Sequence, residues 1–360
     1  MKERKKIMLR ALCSLAVLAL ASVQAIAYQD PYKTNQDPYR NRPSDAAMQD
    51  DKSKRPPASD VELQAAKKVQ AAVDGAAALQ ASGEFLKKYP KSPLRVQVAK
   101  ITASKISQTE DNAKKLSLAE TFTTVFTQPS ESDVIIPTII DAYTRANKFD
   151  EAFQKAATWL QSNPDDARTL VQMALVGSDQ AKHANKKFTD VSRQYGLKAI
   201  ELIETDKRPA SIEADQWGEY KTRWLSQVYQ SVGFLSMSAG DSEKAKTQLQ
   251  KAISLNSGDP YNYLILGTLY DNEYQQAAEQ HKKMMSGPDQ DAMLKKALAA
   301  MDQVIDAYLH AIALSEGSDP LKKVHDSLLQ YVQPYFKYRH NGSTDGLQEA
   351  IDKYKKPAGQ

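Results

Sequence analysis

Histidines and carboxylates are the side chains here that could do acid–base or metal chemistry, and their spacing assembles no site. The five histidines, His183, His281, His310, His325 and His340, are scattered along the chain. None falls in an H-E-x-x-H pattern or beside a second ligand at metal spacing. Glu201 with Glu204, and Glu349 with Asp352, lie three apart. On a helix such pairs share a face, and beside Lys and Arg they read as solvated surface. The sequence has no G-x-S-x-G elbow, phosphate-cradling glycine loop or dinucleotide fingerprint. The single cysteine, Cys13, sits in an apolar run, so residues beyond 27 can form neither a disulfide nor a cysteine metal site. The expectation is no catalytic residue, no metal and no cofactor. A carboxylate pair brought together from distant helices is the arrangement that spacing does not test.

The elements that must position everything else begin after an export signal. Lys2, Arg4, Lys5, Lys6 and Arg10 make a basic head, and Ala11 to Val23 an apolar run. Ala25-Ile26-Ala27 offers a small-x-small cleavage site, which predicts a signal peptide over 1–27 and a mature chain starting at Tyr28. The run is shorter than the ~20 apolar residues a membrane span needs. The reading is therefore an exported, periplasmic or extracellular protein with no integral span after cleavage. The formal charge of +4 belongs to this segment, which holds five Lys/Arg and one Glu, so the remainder is formally neutral. Nucleic acid and anionic surfaces, which need a basic excess, are not expected partners. Residues 28–60 are polar and carry Pro31, Pro38, Pro43, Pro56 and Pro57 without apolar period, which predicts a disordered Pro-rich linker. Its short repeat, Gln29-Asp30-Pro31-Tyr32 and Gln36-Asp37-Pro38-Tyr39, reads as duplicated linker.

From Val61 onward apolar residues recur at helical spacing, and one stretch, Tyr229 to Tyr270, shows a repeat. Tyr263, Leu266, Gly267 and Tyr270 match W-x2-L-G-x2-Y with Tyr for Trp, and Tyr229, Val232 and Gly233 stand at the same phases about 34 residues earlier. Ala245, Leu249 and Ala252 follow the first copy at the phases of a second helix. Small residues at these phases let two helices approach, and large ones fill the groove to the next pair. This stretch resembles the tetratricopeptide (TPR) family. The resemblance is specific over about 226–270 and extends loosely over 61–355, with a C-terminal tail at 356–360. It implies an all-α, right-handed α-solenoid of about seven helical hairpins, since no pair buries its apolar face alone.

Taken in order, helices are expected over 61–73, 76–89, 94–106 and 113–126, then a pair over Asp133 to Pro164 whose first helix carries the stripe Ile136, Ile139, Ile140 and Tyr143 and whose second opens at Phe149. Pro137 marks a kink or the helix's true start. Trp159 occupies a phase where the family carries Ala, which predicts a neighbouring pair set further away. A pair at 167–184 and 188–203 packs through Leu197, Ala199 and Ile200. Ser211 is suited to cap a long helix ending near Ser238. After Tyr270 the repeat departs from the family: 271–285 prolongs the first helix, Ser286-Gly287-Pro288 breaks it, and 292–314 forms a long second helix. The exits Ala252-Ile253-Ser254-Leu255 and Ala311-Ile312-Ala313-Leu314 restore the register, so an elongated hairpin near 260–314 projects. Leu321 to Lys337 follows, interrupted late by Pro334, then a tight turn at Asn341-Gly342 and a short closing helix at 347–354.

The resemblance implies binding of a protein or peptide partner through a concave groove. The family's carboxylate clamp uses Lys and Asn at phases that here carry Gln230, Phe234, Leu264 and Thr268, so that clamp is absent. A groove lined by Gln230, Phe234, Met237, Tyr261, Leu264 and Thr268 would favour an apolar or aromatic segment, unless Phe234 and Met237 simply pack against the next pair. The function expected is a non-catalytic interaction scaffold of the bacterial cell envelope, binding through that groove or through the projecting hairpin, with 271–314 the leading candidate for anything particular to this chain. A self-assembling solenoid and an enzyme or carbohydrate-binding module on helical pairs are the alternatives. Spacing leaves the oligomeric state open.

Overall fold

The computed structural model describes residues 58–209, 212–318 and 321–355. The signal peptide, most of the Pro-rich linker, Ser211 and the C-terminal tail lie outside the described residues. Among the described residues there is no strand, and the chain is divided between Pro164 and Asp165 into two compact units.

The first unit contains α1 (Asp60–Gln70), α2 (Gly75–Lys88), α3 (Arg95–Ser107), α4 (Asn112–Val125), the single turn α5 (Pro129–Ser132), α6 (Ile136–Arg145) and α7 (Phe149–Ser162). Local chemistry sets the starts. The Ser59–Glu62 capping box opens α1, and the Asp74 and Asp111 side chains accept from Ala77 and Lys114 amides at α2 and α4. The apolar stripes Ala78–Leu79–Phe85, Val98–Ala99–Ile106 and Leu116–Ala119–Phe122 are buried. A bidentate ion pair ties α3 to α5, with Arg95 Nε and Nη2 at 2.6 and 2.8 Å from Glu131, whose side chain is 1% exposed. Pro137 lies in the first turn of α6, so it starts that helix rather than kinking it. Trp159 is half-buried and off the fully buried stripe of α7, which is Ala152, Ala156 and Leu160 with Phe153.

The second unit contains α8 (Ala167–Lys182), α9 (Thr189–Glu204), α10 (Ala214–Ser238), α11 (Ser242–Leu255), α12 (Pro260–Lys283), α13 (Pro288–Ser315), α14 (Lys322–Arg339) and α15 (Leu347–Asp352). Consecutive helices pack in pairs, α1 with α2, α3 with α4 and α6 with α7 in the first unit, and α8 with α9, α10 with α11 and α12 with α13 in the second, where α14 and the short α15 both pack on α13. Short turns make the partners antiparallel. Between α10 and α11, Gly240 takes φ +84°, and the Asp241 amide bonds back to the Ser236 carbonyl at 2.9 Å, a helix stop that glycine permits. Asp241 then caps α11 by accepting from the Lys244 amide.

Three expectations are corrected here. Leu197 is 45% exposed; the packed face of α9 is Gly196, Ala199, Ile200 and Ile203, one position away, because Gly196 is what lets α10 approach. The N-cap of α10 is Glu213 and the helix starts at Ala214, whereas Ser211, expected as the cap, lies outside the described residues. Pro334 does not interrupt α14, which continues to Arg339.

The elongated hairpin forms as expected, with α12 running to Lys283 and α13 starting at Pro288. None of residues 278–296 is buried, whereas Ala277 and Ala297 are 2% and 3% exposed. The hairpin therefore leaves the packed core at that level. By length and composition α13 could cross a membrane, yet Met301, Val304, Tyr308 and Ile312 on it are buried in a cluster with Leu264, Val324, Leu328 and Val332. That cluster explains its apolarity.

Candidate functional site

The residues that could do chemistry remain apart. His183 Nδ1 and His310 Nδ1 lie 2.9 and 3.0 Å from carbonyls one turn back, His325 sits 3.1 Å from Asp326, and His340 stacks on Phe336. Glu201 pairs with Lys198 at 3.2 Å, Glu204 accepts the Tyr229 hydroxyl, and Asp352 pairs with Lys355 at 2.7 Å. Among the described residues no group of three His, Cys, Asp or Glu is placed to hold a metal ion.

The repeat signature instead builds the framework. Tyr229 is 5% exposed, and Ala245, Leu249 and Ala252 are fully buried. A methyl group on Gly233 would fall 2.9 Å from Leu249 Cγ, so α10 and α11 touch nearly backbone to side chain. The Ser226 hydroxyl donates to the Ala252 carbonyl at 3.1 Å across the same seam. One repeat later, a methyl on Gly267 would fall 2.4 Å from Tyr308 Cε1. Leu266 is buried, while Tyr263 and Tyr270 are half-buried against α13. The packing is TPR-like. Tyr308, fully enclosed, was not singled out by sequence, yet the matching helix exits place it at the phase of Leu249.

The six residues proposed for partner contact divide. Phe234 and Leu264 are 6% and 7% exposed and belong to inter-helix clusters, so they pack rather than line an open groove. Met237, half-buried, packs against the Phe234 cluster, the bland alternative that its spacing allowed. Gln230 is spent internally: its amide donates to Asp259 Oδ2 at 2.7 Å and Asn262 Oδ1 at 2.9 Å. Thr268 donates to the Leu264 carbonyl at 3.0 Å. Tyr261 is half-buried, and burial, reinforced by Asp259, pushes its phenol up to about 12.

Two residues that sequence missed complete this face. Asp259 caps α12 by accepting the Tyr261 amide at 2.9 Å, and burial raises its carboxyl above the usual carboxylate range. Lys182, in the last turn of α8, lies over the Phe234 ring at 5.8 Å, and burial lowers its ammonium below the usual lysine range while Asp179 and Asp259 oppose that. Spacing marks neither meeting, because Gln230 reaches Asp259 and Phe234 reaches Lys182 from another helix. Among the described residues this arrangement offers polar groups that can hold a ligand.

Comparison with known proteins returns structures alone. No protein-family model matches the chain, and no curated protein does. A tetratricopeptide repeat protein from Parabacteroides merdae aligns at 13% identity over 75% of this chain and 100% of its own, with a TM-score of 0.38. IFIT1, solved as a monomeric mutant with Gppp-AAAA, aligns at 14% identity over 79% of this chain and 66% of its own, with a TM-score of 0.32. At those scores the likeness transfers no ligand and no partner.

Proposed function

We propose that this chain is an exported, non-catalytic scaffold of the bacterial cell envelope that binds a protein or peptide partner through the tip of the α12–α13 hairpin. The observation that supports this is the unburied run 278–296. Its base is locked by Gly267 against Tyr308, while the tip carries Met285 at 91% exposure and has no fully buried residue, Met284, Met293 and Leu294 being half-buried. Met285 is the large apolar side chain that the tip holds out to solvent. The face made by Lys182, Tyr261 and Asp259 is a second place for contact on the same unit.

The test is photo-crosslinking in intact envelopes from a probe at position 285, with a probe at Leu197, an exposed site on α9, as control. A discrete adduct specific to position 285, and lost when residues 279–296 are replaced by a short turn, is the expected result. Equal labelling from both positions would overturn the reading, and an adduct of the chain with itself would favour self-assembly.

A further inference from the structure

A cavity of about 460 Å³ lies between α12 and α13, within the roughly 300–1,000 Å³ range of small-ligand sites. Its walls include Tyr263, Leu266 and Tyr270 from α12, and Asp302, Asp306 and Ala307 from α13. Aromatic rings and carboxylates facing one space are the complement of an organic cation.

The charges around the cavity are unequally compensated. Arg339 from α14 grips both oxygens of Asp302, at 2.6 and 2.9 Å, and neutralises it. Lys246, near Tyr270, is held by Glu243 at 2.7 Å and Glu273 at 2.8 Å. Asp306 has no Lys or Arg within ion-pair distance among the described residues. It accepts the Tyr354 hydroxyl, and His310 Nδ1 stands 3.7 Å away. His310 itself is sandwiched between Tyr263, 4.5 Å ring to ring and parallel, and Tyr354 at 3.5 Å, which fixes the wall. Burial holds the Tyr263, Tyr270 and Tyr354 phenols above their ordinary range, and the Asp306 charge adds to all three. This open depression thus carries, beside its phenol rings, one carboxylate without a Lys or Arg partner, Asp306, whose side chain is 59% exposed and so reachable from solvent. A hard metal ion would need six or more oxygens, which this wall does not offer.

We infer that this cavity binds an organic ammonium cation, with its charge at Asp306 and its methylenes or methyls against Tyr263 and Tyr270. The inference does not depend on the hairpin-tip reading, since the cavity lies at the base of the hairpin and its ligand can be tested alone. Two sources share this chemistry: a lysine side chain presented by a partner chain, and a free alkylammonium compound.

Calorimetric titration of the full mature chain with tetramethylammonium, N-acetyl-lysine methylamide and the peptide Gly-Gly-Lys-Gly-Gly tests it, with N-acetyl-norleucine methylamide as the uncharged control. The cations should bind and the norleucine compound should not. Asp306→Asn should weaken binding about tenfold, and Gln303→Lys, which places a tethered ammonium at the exposed lining, should abolish it, both with unchanged unfolding midpoints. Tighter binding of the peptide than of tetramethylammonium supports the inference and assigns a partner's lysine; equal affinities support it and assign a free compound. Norleucine binding as well as lysine, no cation binding, or undiminished affinity in well-folded Asp306→Asn would overturn it.

Discussion

At the scale of single residues the protein is governed by where a side chain must be missing. Gly267 faces Tyr308 and Gly233 faces Leu249, in both cases closer than any Cβ could come without displacement. Tyr308 is enclosed, so its ring has nowhere to retreat. Gly267→Ala should therefore destabilise the chain by about 1–3 kcal/mol through overpacking. Gly218, in α10 with nothing within 4 Å of its would-be Cβ, is the control. Gly218→Ala should stabilise by about 0.5–1 kcal/mol, the ordinary helical gain of alanine over glycine. Urea unfolding of the two variants checks both, and equal effects would reject close approach as the cause.

At the scale of elements, α14 is tied to the elongated α12 by a buried carboxylate. Asp271 is 6% exposed and accepts the hydroxyls of Tyr331 at 2.6 Å and Tyr335 at 2.8 Å. Burial, with the Asp271 charge behind it, raises both phenols well above their ordinary range. Each folded-state pKa exceeds its unfolded value, so the folded chain keeps protons that the unfolded chain has lost. The stability from this contact is thus complete below about pH 10 and falls as pH rises beyond it. Thermal unfolding followed from pH 8 to pH 11 should show that loss. Tyr331→Phe, which leaves Asp271 short of a donor, should cost about 1–3 kcal/mol at pH 8 and flatten the alkaline decline. An unchanged decline in the variant would place its origin elsewhere, in Tyr220 or Tyr229, whose phenols are also raised by burial.

At the scale of the whole molecule, stability and binding are expected to separate along the α12–α13 hairpin. Replacing 279–296 by a short Gly-Ser turn removes no buried residue. The unfolding free energy should then stay within about 1 kcal/mol of the parent, since little apolar area changes its exposure. A large loss, read by chemical denaturation, would show that the tip packs in the folded protein. The N-terminal reading is checked by sequencing the protein recovered from expressing cells: Tyr28 as first residue is expected, and an intact Met1 to Ala27 segment would refute export by cleavage.

Periodicity, turn residues and the recurring Gly and Ala determined the helices, their pairing and the extra length after Tyr270, because these are local and repeat along the chain. The same register even held the key to Tyr308, whose phase matches Leu249. Which polar side chains meet was decided only in three dimensions. Asp259 with Gln230, Asp271 with Tyr331, and Asp306 with Tyr354 join residues 29 to 60 positions apart. Phe234 and Leu264, set at groove phases by their spacing, turned inward because neighbouring helices covered them. A helical pattern states which face a residue occupies, but whether that face meets water or another helix depends on how the pairs stack.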